Sequence, residues 1–266
     1  MRFITKTDFV MPHRENRKGD NGRVLVIGGS REYVGAVALA GLAALRSGVD
    51  WVTIAAPEKV AWAINVLSVD LVVKKLKGEY LEKKNVIELL KEEKKYDLVL
   101  LGNGVTLKAK DFVKNFVKKS KKPLVIDADA LKVISLADIN NSILTPHPRE
   151  FEILLRNSGI KNKKELSRNL DNNVIILKGK IDEIITKNKT YYNKTGNAGL
   201  TKAGTGDVLA GLCAGFYAQT RDALKAAKMA AYYNGIIGDI LLKKKKGFSY
   251  LASDMVEEIE RLKKYK

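Results

Sequence analysis

The sequence predicts an α/β fold of three layers, in which helices cover both faces of a mostly parallel central sheet. Apolar runs alternate with amphipathic stretches from one end of the chain to the other, which is the pattern of that architecture. The apolar runs are continuous, as in strands that are buried on both faces. A length of 266 residues suits one large domain, and no linker-like stretch divides it. We therefore expect a single domain over residues 1–266.

Six continuous apolar runs are the predicted interior strands. They are residues 23–28, 51–56, 98–101, 124–126, 143–144 and 174–177. A helix of small residues follows the first strand, from about Gly35 to Ser47, and Gly48 ends it. Two shorter segments, 183–186 and 190–193, predict an antiparallel hairpin at one edge of the sheet. Further helices are predicted over about residues 208–219, 222–242 and 254–264.

The segment from Asn193 to Asp207 is the most informative part of the chain. It contains four glycines and leads directly into an apolar helix. The free N–H groups and the positive dipole at such a helix start can bind an anion. Gly204 and Gly206 carry no side chain that would keep a phosphate away from the backbone. Asp207 would repel an anion, so we interpret it as the base that accepts a substrate hydroxyl proton during phosphoryl transfer, or as an N-cap.

Polar or glycine-rich groups follow five of the predicted strands. They are Gly28-Gly29-Ser30, Gly102-Asn103-Gly104, Asp127-Ala128-Asp129, Thr145-Pro146-His147 and Lys178-Gly179. Ligands of open α/β sheets bind beyond the carboxyl ends of the strands. These groups and the glycine-rich segment therefore predict one large shared cleft.

Several other kinds of site lack their motifs. The chain has no Walker A sequence, and its first glycine-rich turn lacks the spacing of a dinucleotide-binding turn. The histidines are His13 and His147 and the one cysteine is Cys213, so the chain has no zinc-binding set. Cys213 lies in an apolar predicted helix and is interpreted as a small core residue. A Ser–His hydrolase through His147 stays open, although no nucleophile-elbow motif accompanies it. Phosphoryl transfer at the Asp207 helix start is the reaction best supported.

A net charge of +18 raises the hypothesis of nucleic-acid binding. The placement of the lysines argues against it, because they alternate with glutamates over residues 82–95 or follow helices at residues 118–122 and 243–246. No aromatic residues are interleaved with them to stack on bases. No apolar run is long enough to span a bilayer, and no signal peptide is evident. We expect a cytoplasmic protein with neither nucleic-acid nor membrane partners.

The motifs resemble those of a known enzyme family. Ala203-Gly204-Thr205-Gly206-Asp207 resembles the anion hole and catalytic aspartate of ribokinase-like folds. Five further motifs, in this order and at these separations, resemble those of ADP/ATP-dependent NAD(P)H-hydrate dehydratases. They are residues 26–36, 127–131, 144–151, 177–179 and 195–199. The resemblance covers the chain from about Lys18 to the C-terminal helix. Asn103 and Thr106 depart from the Gly-Pro-Gly-Leu-Gly motif that is usual in the family. Arg149 stands where a glycine is usual.

The resemblance implies repair of a damaged nicotinamide cofactor. ADP or ATP would phosphorylate the ring hydroxyl of the S epimer of hydrated NADH or NADPH, and loss of phosphate would restore the dihydronicotinamide. Asp207 would be the catalytic base. The implied nucleotide-binding residues are Lys178, Gly179, Lys180, Ile181, Asp182, Gly204, Thr205 and Gly206. The implied substrate-binding residues are Ala36, Gly104, His147, Asn197 and Asp207.

Several of these implied roles have a purely structural alternative. Ala36 and Gly104 could instead be small to permit tight helix–sheet packing, and His147 could be a satisfied polar residue between two prolines. Asp127 and Asp129 could hold Mg²⁺ through water or phosphate oxygens, or could cap the short helix at Ala130.

Further expectations concern the form of the enzyme. The resemblance to stand-alone prokaryotic members, without the epimerase domain that is sometimes fused, favours ADP over ATP. It also suggests a homo-oligomer, such as a tetramer. The rival function is a ribokinase-like kinase of a vitamin precursor, whose product would keep the phosphate.

Overall fold

The computed structural model describes residues 1–265 and contains one sheet of ten strands in them. Its strands are β1 (Arg2–Phe3), β2 (Arg23–Ile27), β3 (Trp51–Pro57), β4 (Val72–Leu76), β5 (Leu98–Leu101), β6 (Leu124–Ile126), β7 (Ile143–Leu144), β8 (Val174–Leu177), β9 (Asp182–Ile185) and β10 (Thr190–Asn193). The spatial order is β1-β10-β9-β8-β7-β6-β5-β2-β3-β4. Only β9 runs antiparallel to its neighbours, which confirms the mostly parallel sheet. Lys266, the last residue of the predicted domain, lies outside the described residues.

Helices cover both faces of this sheet. They are α1 (Val34–Arg46), α2 (Glu58–Leu67), α3 (Asn85–Glu92), α4 (Lys110–Lys119), α5 (Pro148–Asn157), α6 (Lys163–Asn169), α7 (Thr205–Thr220), α8 (Ala223–Lys244) and α9 (Ala252–Glu258). One apolar core joins the sheet to α1, α2, α7, α8 and α9, and a second joins it to α3, α4, α5 and α6. Along β2, Val24 and Val26 enter the first core while Leu25 and Ile27 enter the second. The predicted three-layer architecture is therefore confirmed.

The position of α7 depends on its close packing against α1. A Cβ atom added to Gly211 would lie 2.3 Å from the carbonyl oxygen of Ala40, and one added to Gly215 would lie 1.8 Å from Ser47 Oγ. Glycines at these two positions let the helix backbones approach each other more closely than any larger residue would. The first turn of α7 is thereby held at the carboxyl ends of the strands.

The structure differs from the sequence-based expectations at both ends of the sheet and at the end of the chain. The predicted hairpin is formed by β9 and β10, but β1 pairs outside β10, with Arg2 opposite Tyr191, so the hairpin is not at the edge. At the other edge, β4 was not predicted, because its two lysines interrupt the apolar pattern. The predicted helix over residues 254–264 is α-helical only to Glu258 and continues as a 3₁₀-helix.

The charged helix faces are largely as predicted. Lys74 pairs with Glu88, Lys95 pairs with Glu92, and these ion pairs lie on and beside α3. Glu93 is an exception, because it is buried and accepts hydrogen bonds from the Ser120 hydroxyl and a backbone amide.

Two further expectations concern the core and the membrane. Cys213 lies in the core as predicted, and burial raises the pKa of its thiol. Among the described residues, no helix combines the length and the apolarity that a membrane crossing requires.

Candidate functional site

The glycine-rich segment ends in a tight left-handed turn at the start of α7. Gly204 is the N-cap residue with φ of +90°, and an added Cβ atom would lie 2.8 Å from Ala252 Cβ. Both the backbone angle and the contact therefore require glycine at this position. The Thr205 hydroxyl donates to the carbonyl oxygens of Leu200 and Lys202, which fixes the turn from inside. The N–H groups of the first turn, including those of Gly206 and Asp207, have no partner four residues back within the helix.

Asp207 is the third residue of α7 and is not its N-cap, so the capping interpretation of this aspartate is wrong. Its Oδ1 atom accepts a hydrogen bond of 2.7 Å from Asn103 Nδ2. The same Asn103 amide donates to Asp127 Oδ2 at 3.1 Å. Asp127 Oδ1 in turn accepts from Thr145 Oγ1 at 2.8 Å and from Lys178 Nζ at 3.2 Å. One network thus joins the ends of β5, β6, β7 and β8 to the start of α7, which confirms that the strand ends converge.

The environment of Asp207 suits a general base. Burial raises the pKa of its carboxyl group, the hydrogen bond from Asn103 lowers it, the charge of Asp127 raises it, and Lys178 lowers it. The result is a pKa of about 7. A base is most effective when its pKa lies near the working pH, because it is then both deprotonated and able to take up a proton.

Lys178 supplies the cation of the site. Burial lowers the pKa of its ammonium group, but the carboxylates of Asp127, Glu150 and Asp207 outweigh burial and raise it, so the group is charged. An added Cβ atom at Gly206 would lie 3.5 Å from Lys178 Nζ, so the ammonium group lies beside the first turn of α7. A cation and free amide N–H groups therefore face the same volume, as an anionic phosphoryl group requires.

The other members of the predicted nucleotide-binding loop connect β8 to β9. Lys180 and Ile181 are exposed, and Gly179 donates its N–H to Asp182 Oδ1 at 3.0 Å. Asp182 Oδ2 also accepts from Asn193 Nδ2 at 3.1 Å. Burial raises the pKa of Asp182 against these hydrogen bonds. Asp182 thus stabilises the loop from its buried side, while Gly179, Lys180 and Ile181 are exposed to solvent.

His147 lies at the end of β7 and caps α5. Its Nδ1 atom accepts from the amide N–H groups of Arg149 and Glu150, while Glu150 accepts from the His147 N–H in return. This use of Nδ1 as an acceptor is the satisfied-histidine alternative to substrate binding. The side chain is still 46% exposed, although its Nε2 atom lies 3.5 Å from Glu150 Oε1.

The remaining predicted substrate residues, Gly104, Ala36 and Asn197, have different local surroundings. An added Cβ atom at Gly104 would lie 2.5 Å from the carbonyl oxygen of Tyr33, so tight packing against the loop after β2 is sufficient to require glycine. Ala36 lies in the first turn of α1 and is half-buried. The Asn197 side chain accepts from Gly199 N–H and Tyr250 OH and donates to Asp239, which fixes it within its own turn.

The two aspartates proposed as metal ligands have different surroundings. Asp127 makes no side-chain capping bond to its helix and is buried among Asn103, Thr145 and Lys178. Asp129 pairs with Lys132 at 2.5 Å. Within residues 1–265, no group of three or more His, Cys, Asp or Glu side chains could hold a metal ion. Of the two aspartates, Asp127 is the one that belongs to the hydrogen-bond network of Asp207 and Lys178.

Asn103 is a central member of this network, although the sequence suggested no individual role for it. It is fully buried, it bridges Asp207 and Asp127, and its Oδ1 atom has no hydrogen-bond partner among the described residues. A buried polar atom without a partner is costly and indicates an accommodated ligand group or water. The available signal was the departure from the family pattern, since Asn103 stands where proline is usual.

Sequence comparison identifies relatives along almost the whole chain. The family model described as NAD(P)H-hydrate dehydratase matches residues 24–261. A bifunctional NAD(P)H-hydrate repair enzyme of Methanocaldococcus jannaschii is 43% identical over 94% of this chain and 49% of its own length. The chain therefore spans about half the length of such bifunctional relatives. An ADP-dependent (S)-NAD(P)H-hydrate dehydratase of Nitrosopumilus maritimus is 35% identical over 94% of this chain and 91% of its own length.

Solved structures agree with the predicted fold. A ribokinase-like superfamily protein of Enterococcus faecalis superposes with a TM-score of 0.85 at 25% identity, covering 99% of this chain and 95% of that chain. The ADP/ATP-dependent NAD(P)H-hydrate dehydratase of Bacillus subtilis, co-crystallised with ATP and Mg²⁺, superposes with a TM-score of 0.77 at 27% identity. That match covers 96% of this chain and 94% of the Bacillus chain. The ribokinase-like architecture is therefore confirmed.

Proposed function

The chain belongs to the NAD(P)H-hydrate dehydratase family, and we propose that it restores NADH and NADPH from the S epimers of their hydrated forms, using ADP or ATP. One observation supports the catalytic part of this proposal above all others. It is the Asp207 carboxyl group, with a pKa of about 7, next to Lys178 and the free N–H groups of the α7 start. The family match favours dehydration over the kinase reaction that the motifs alone left open.

The proposed reaction transfers a phosphoryl group and then eliminates it. Asp207 accepts the proton of the ring hydroxyl while that oxygen attacks the terminal phosphorus of the nucleotide. The new O–P bond forms as the bond to the departing AMP or ADP oxygen breaks. The ring C–O bond then breaks, phosphate leaves, and the adjacent carbon loses a proton to restore the double bond. Phosphate leaves more readily than hydroxide at neutral pH, which explains why a nucleotide is consumed.

The surrounding residues have complementary roles in this proposal. Lys178 and the free N–H groups at the start of α7, including that of Gly206, stabilise the negative charge of the transferring phosphoryl group, while the Thr205 N–H donates to the carbonyl oxygen of Lys202. Asn103 holds the Asp207 carboxylate in one orientation through its 2.7 Å hydrogen bond. The nucleotide lies against the loop of Lys178, Gly179, Lys180, Ile181 and Asp182. The hydrated ring lies on the side of Ala36, Gly104, His147 and Asn197.

Recovery of NADH absorbance tests the function directly. The enzyme is incubated with hydrated NADH and either ADP or ATP, and the dihydronicotinamide absorbance is followed while AMP or ADP and phosphate are quantified. We expect absorbance to return with one nucleotide cleaved per NADH formed, and faster with ADP. A kinase would instead accumulate a phosphorylated product without any gain in absorbance, which would refute the dehydratase proposal.

The pH dependence of the reaction follows from the raised pKa of Asp207. The base acts only when deprotonated, so kcat/KM is expected to fall as the pH drops below about 7. The fall approaches tenfold per pH unit, because the deprotonated fraction decreases by that factor. A profile of kcat/KM for hydrated NADH between pH 5 and pH 9 measures it. A profile that stays flat down to pH 5 would contradict the role of Asp207 as the base.

In this proposal, Mg²⁺ binds together with the nucleotide. Such an ion usually binds one or two carboxylates together with phosphate oxygens and water, and it would neutralise charge on the phosphates. Asp127 is the protein group that would hold it, through water. Asp129, already paired with Lys132, is the weaker of the two predicted ligands.

We further infer that the protein acts as a homo-oligomer in the cytoplasm, where ADP, ATP and NAD(P)H are available. Large apolar side chains are exposed in and after α2, at Trp62, Val66, Leu67 and Val69. Exposed apolar side chains concentrated in this way favour self-association. Light scattering is expected to show a tetramer for the wild type and smaller species for Trp62→Glu. A monomeric wild-type protein would refute this inference.

A further inference from the structure

A cavity of about 650 Å³ opens at the amino ends of β2, β3 and β4, at the opposite end of the sheet from Asp207. The nearby helix α3 has eight residues, and its Val86 and Leu89 belong to the same apolar core as Leu76 at the carboxyl end of β4. At the amino ends of β3 and β4, Trp51 is 38% exposed and Val72 is 46% exposed. This volume lies within the range of sites that bind small organic molecules.

The wall of this cavity, here called the amino-end cleft, combines an aromatic surface with cations. Lys18 Nζ lies 5.3 Å from the centre of the Trp51 ring, and Trp51 Nε1 donates to Thr53 Oγ1 at 2.9 Å. This hydrogen bond restrains the orientation of the Trp51 indole ring. Arg23 is the direct neighbour of Trp51 across the parallel pair β2–β3. The backbones of Arg23 and Trp51 are therefore one strand spacing apart, roughly 5 Å, so both side chains can reach one bound molecule.

The acidic residues of the amino-end cleft are already neutralised. Asp50 accepts hydrogen bonds from Arg14 and from backbone amides, and Glu92 pairs with Lys74 and Lys95. In contrast, neither Arg23 nor Lys18 has a carboxylate within ion-pair distance in the described part of the chain. The Arg23 guanidinium donates to the carbonyl oxygen of Lys95 at 3.5 Å and lies beside Gly19, and the Arg23 backbone N–H donates to Asp97 Oδ2 at 2.8 Å. The cleft thus offers two cationic side chains without an ion-pair partner among the described residues, beside an exposed indole.

We propose that the amino-end cleft is a second ligand site, which binds a small aromatic anion of the size of a nucleoside monophosphate. The planar ring stacks on Trp51 and the anionic group pairs with Arg23 and Lys18, since arginine suits the bidentate recognition of phosphate. The site is independent of Asp207, so a ligand bound there is not consumed, and the proposal holds whether or not the protein is a dehydratase.

Tryptophan fluorescence provides a test that reports on this cleft alone. The chain has two tryptophans, so Trp62→Phe leaves Trp51 as the single reporter. In this background the full-length protein is titrated with AMP, with adenosine, which has the ring without the anion, and with ribose 5-phosphate, which has the anion without the ring. We expect saturable quenching by AMP and weaker binding of both fragments. Adenosine should bind about tenfold or more weakly, because a hydrogen bond to a charged group contributes about that factor, and ribose 5-phosphate should bind more weakly because it cannot stack on Trp51.

Matched variants identify the residues responsible. Arg23→Gln is expected to weaken AMP binding at least about tenfold and to leave adenosine binding unchanged, because only the charged contact is lost. Arg168→Gln, on the exposed surface of α6, and Asp207→Asn are expected to leave the Trp51 titration unchanged. The proposal is overturned if AMP causes no saturable quenching, if adenosine binds as tightly as AMP, or if Arg23→Gln has no effect.

Discussion

Asp207→Asn is expected to lower kcat for hydrated NADH by about 10³-fold, within the range attributed to a positioned general base. Asparagine has nearly the same shape and still accepts the hydrogen bond from Asn103 Nδ2, so the network of the site stays intact. It cannot take a proton from the ring hydroxyl. The NADH recovery assay measures the loss, and single-turnover quantification of phosphate release shows whether the phosphoryl transfer step is the one affected.

Nucleotide binding separates this catalytic loss from a damaged site. We expect the dissociation constant for ADP, measured by calorimetry, to change by less than about threefold in Asp207→Asn, because the phosphate contacts come from Lys178 and backbone N–H groups. Retained turnover in this variant would exclude Asp207 as the base. Loss of ADP binding would show instead that the carboxyl group organises the nucleotide site.

The same substitution is expected to stabilise the folded protein above pH 7. The pKa of Asp207 is raised from 3.8 to about 7, so folding favours its protonated form. Stability is therefore lost as the pH rises from about 4 to about 7, and the cost is fully present at higher pH. Its upper bound is roughly 4 kcal/mol, and partial exposure of the side chain reduces it. Thermal unfolding should show Tm values that match at pH 4 and differ by several degrees at pH 8, with the variant higher.

Much of the fold was predictable because its determinants are local. Continuous apolar runs marked the six interior strands, and the glycines and small residues before α7 marked the helix start that forms the site. The convergence of the strand-end residues on the start of α7 was predictable for a topological reason, since the carboxyl ends of parallel strands meet at one edge. The edge strands β1 and β4 were not predictable in this way, because two residues or a lysine-rich segment carry no periodic signal and depend on pairing with distant strands.

Site residues whose roles depend on distant partners were harder to predict. Asn103 bridges Asp207, which is 104 positions away, and Asp127, which is 24 positions away, and no local pattern encodes such a contact. Asp182 was predicted to bind the nucleotide because it follows Lys178 in a family motif, but its side chain instead stabilises the loop from the buried side. For His147, the following Pro148 and Glu150 contained a local capping signal, which the structure realises in α5.

Lys178→Gln is expected to lower kcat/KM for the nucleotide by about 10² to 10³-fold, the range seen when one electrostatic partner of a transition-state charge is removed. The ammonium group lies beside Gly206, where the phosphoryl group would pass, and the substitution leaves an uncharged amide in its place. Lys189→Gln is the matched control. It removes an exposed lysine of the turn between β9 and β10, outside the proposed nucleotide-binding loop, so its effect should stay below about threefold, as for an exposed charge that is screened by solvent.

The pH profile makes the Lys178→Gln experiment specific. Lys178 lowers the pKa of Asp207, so its replacement should move the acid limb of kcat/KM to a pH above 7. Lys178→Arg keeps the charge and should leave the limb near its original position even if the rate falls, because arginine differs in shape from lysine. Circular dichroism checks that the variants are folded, since Asp127 loses its buried cation in Lys178→Gln. A folded Lys178→Gln protein with the wild-type profile and rate would place the phosphoryl group away from this lysine, and would separate the nucleotide site from the carboxyl ends of the strands.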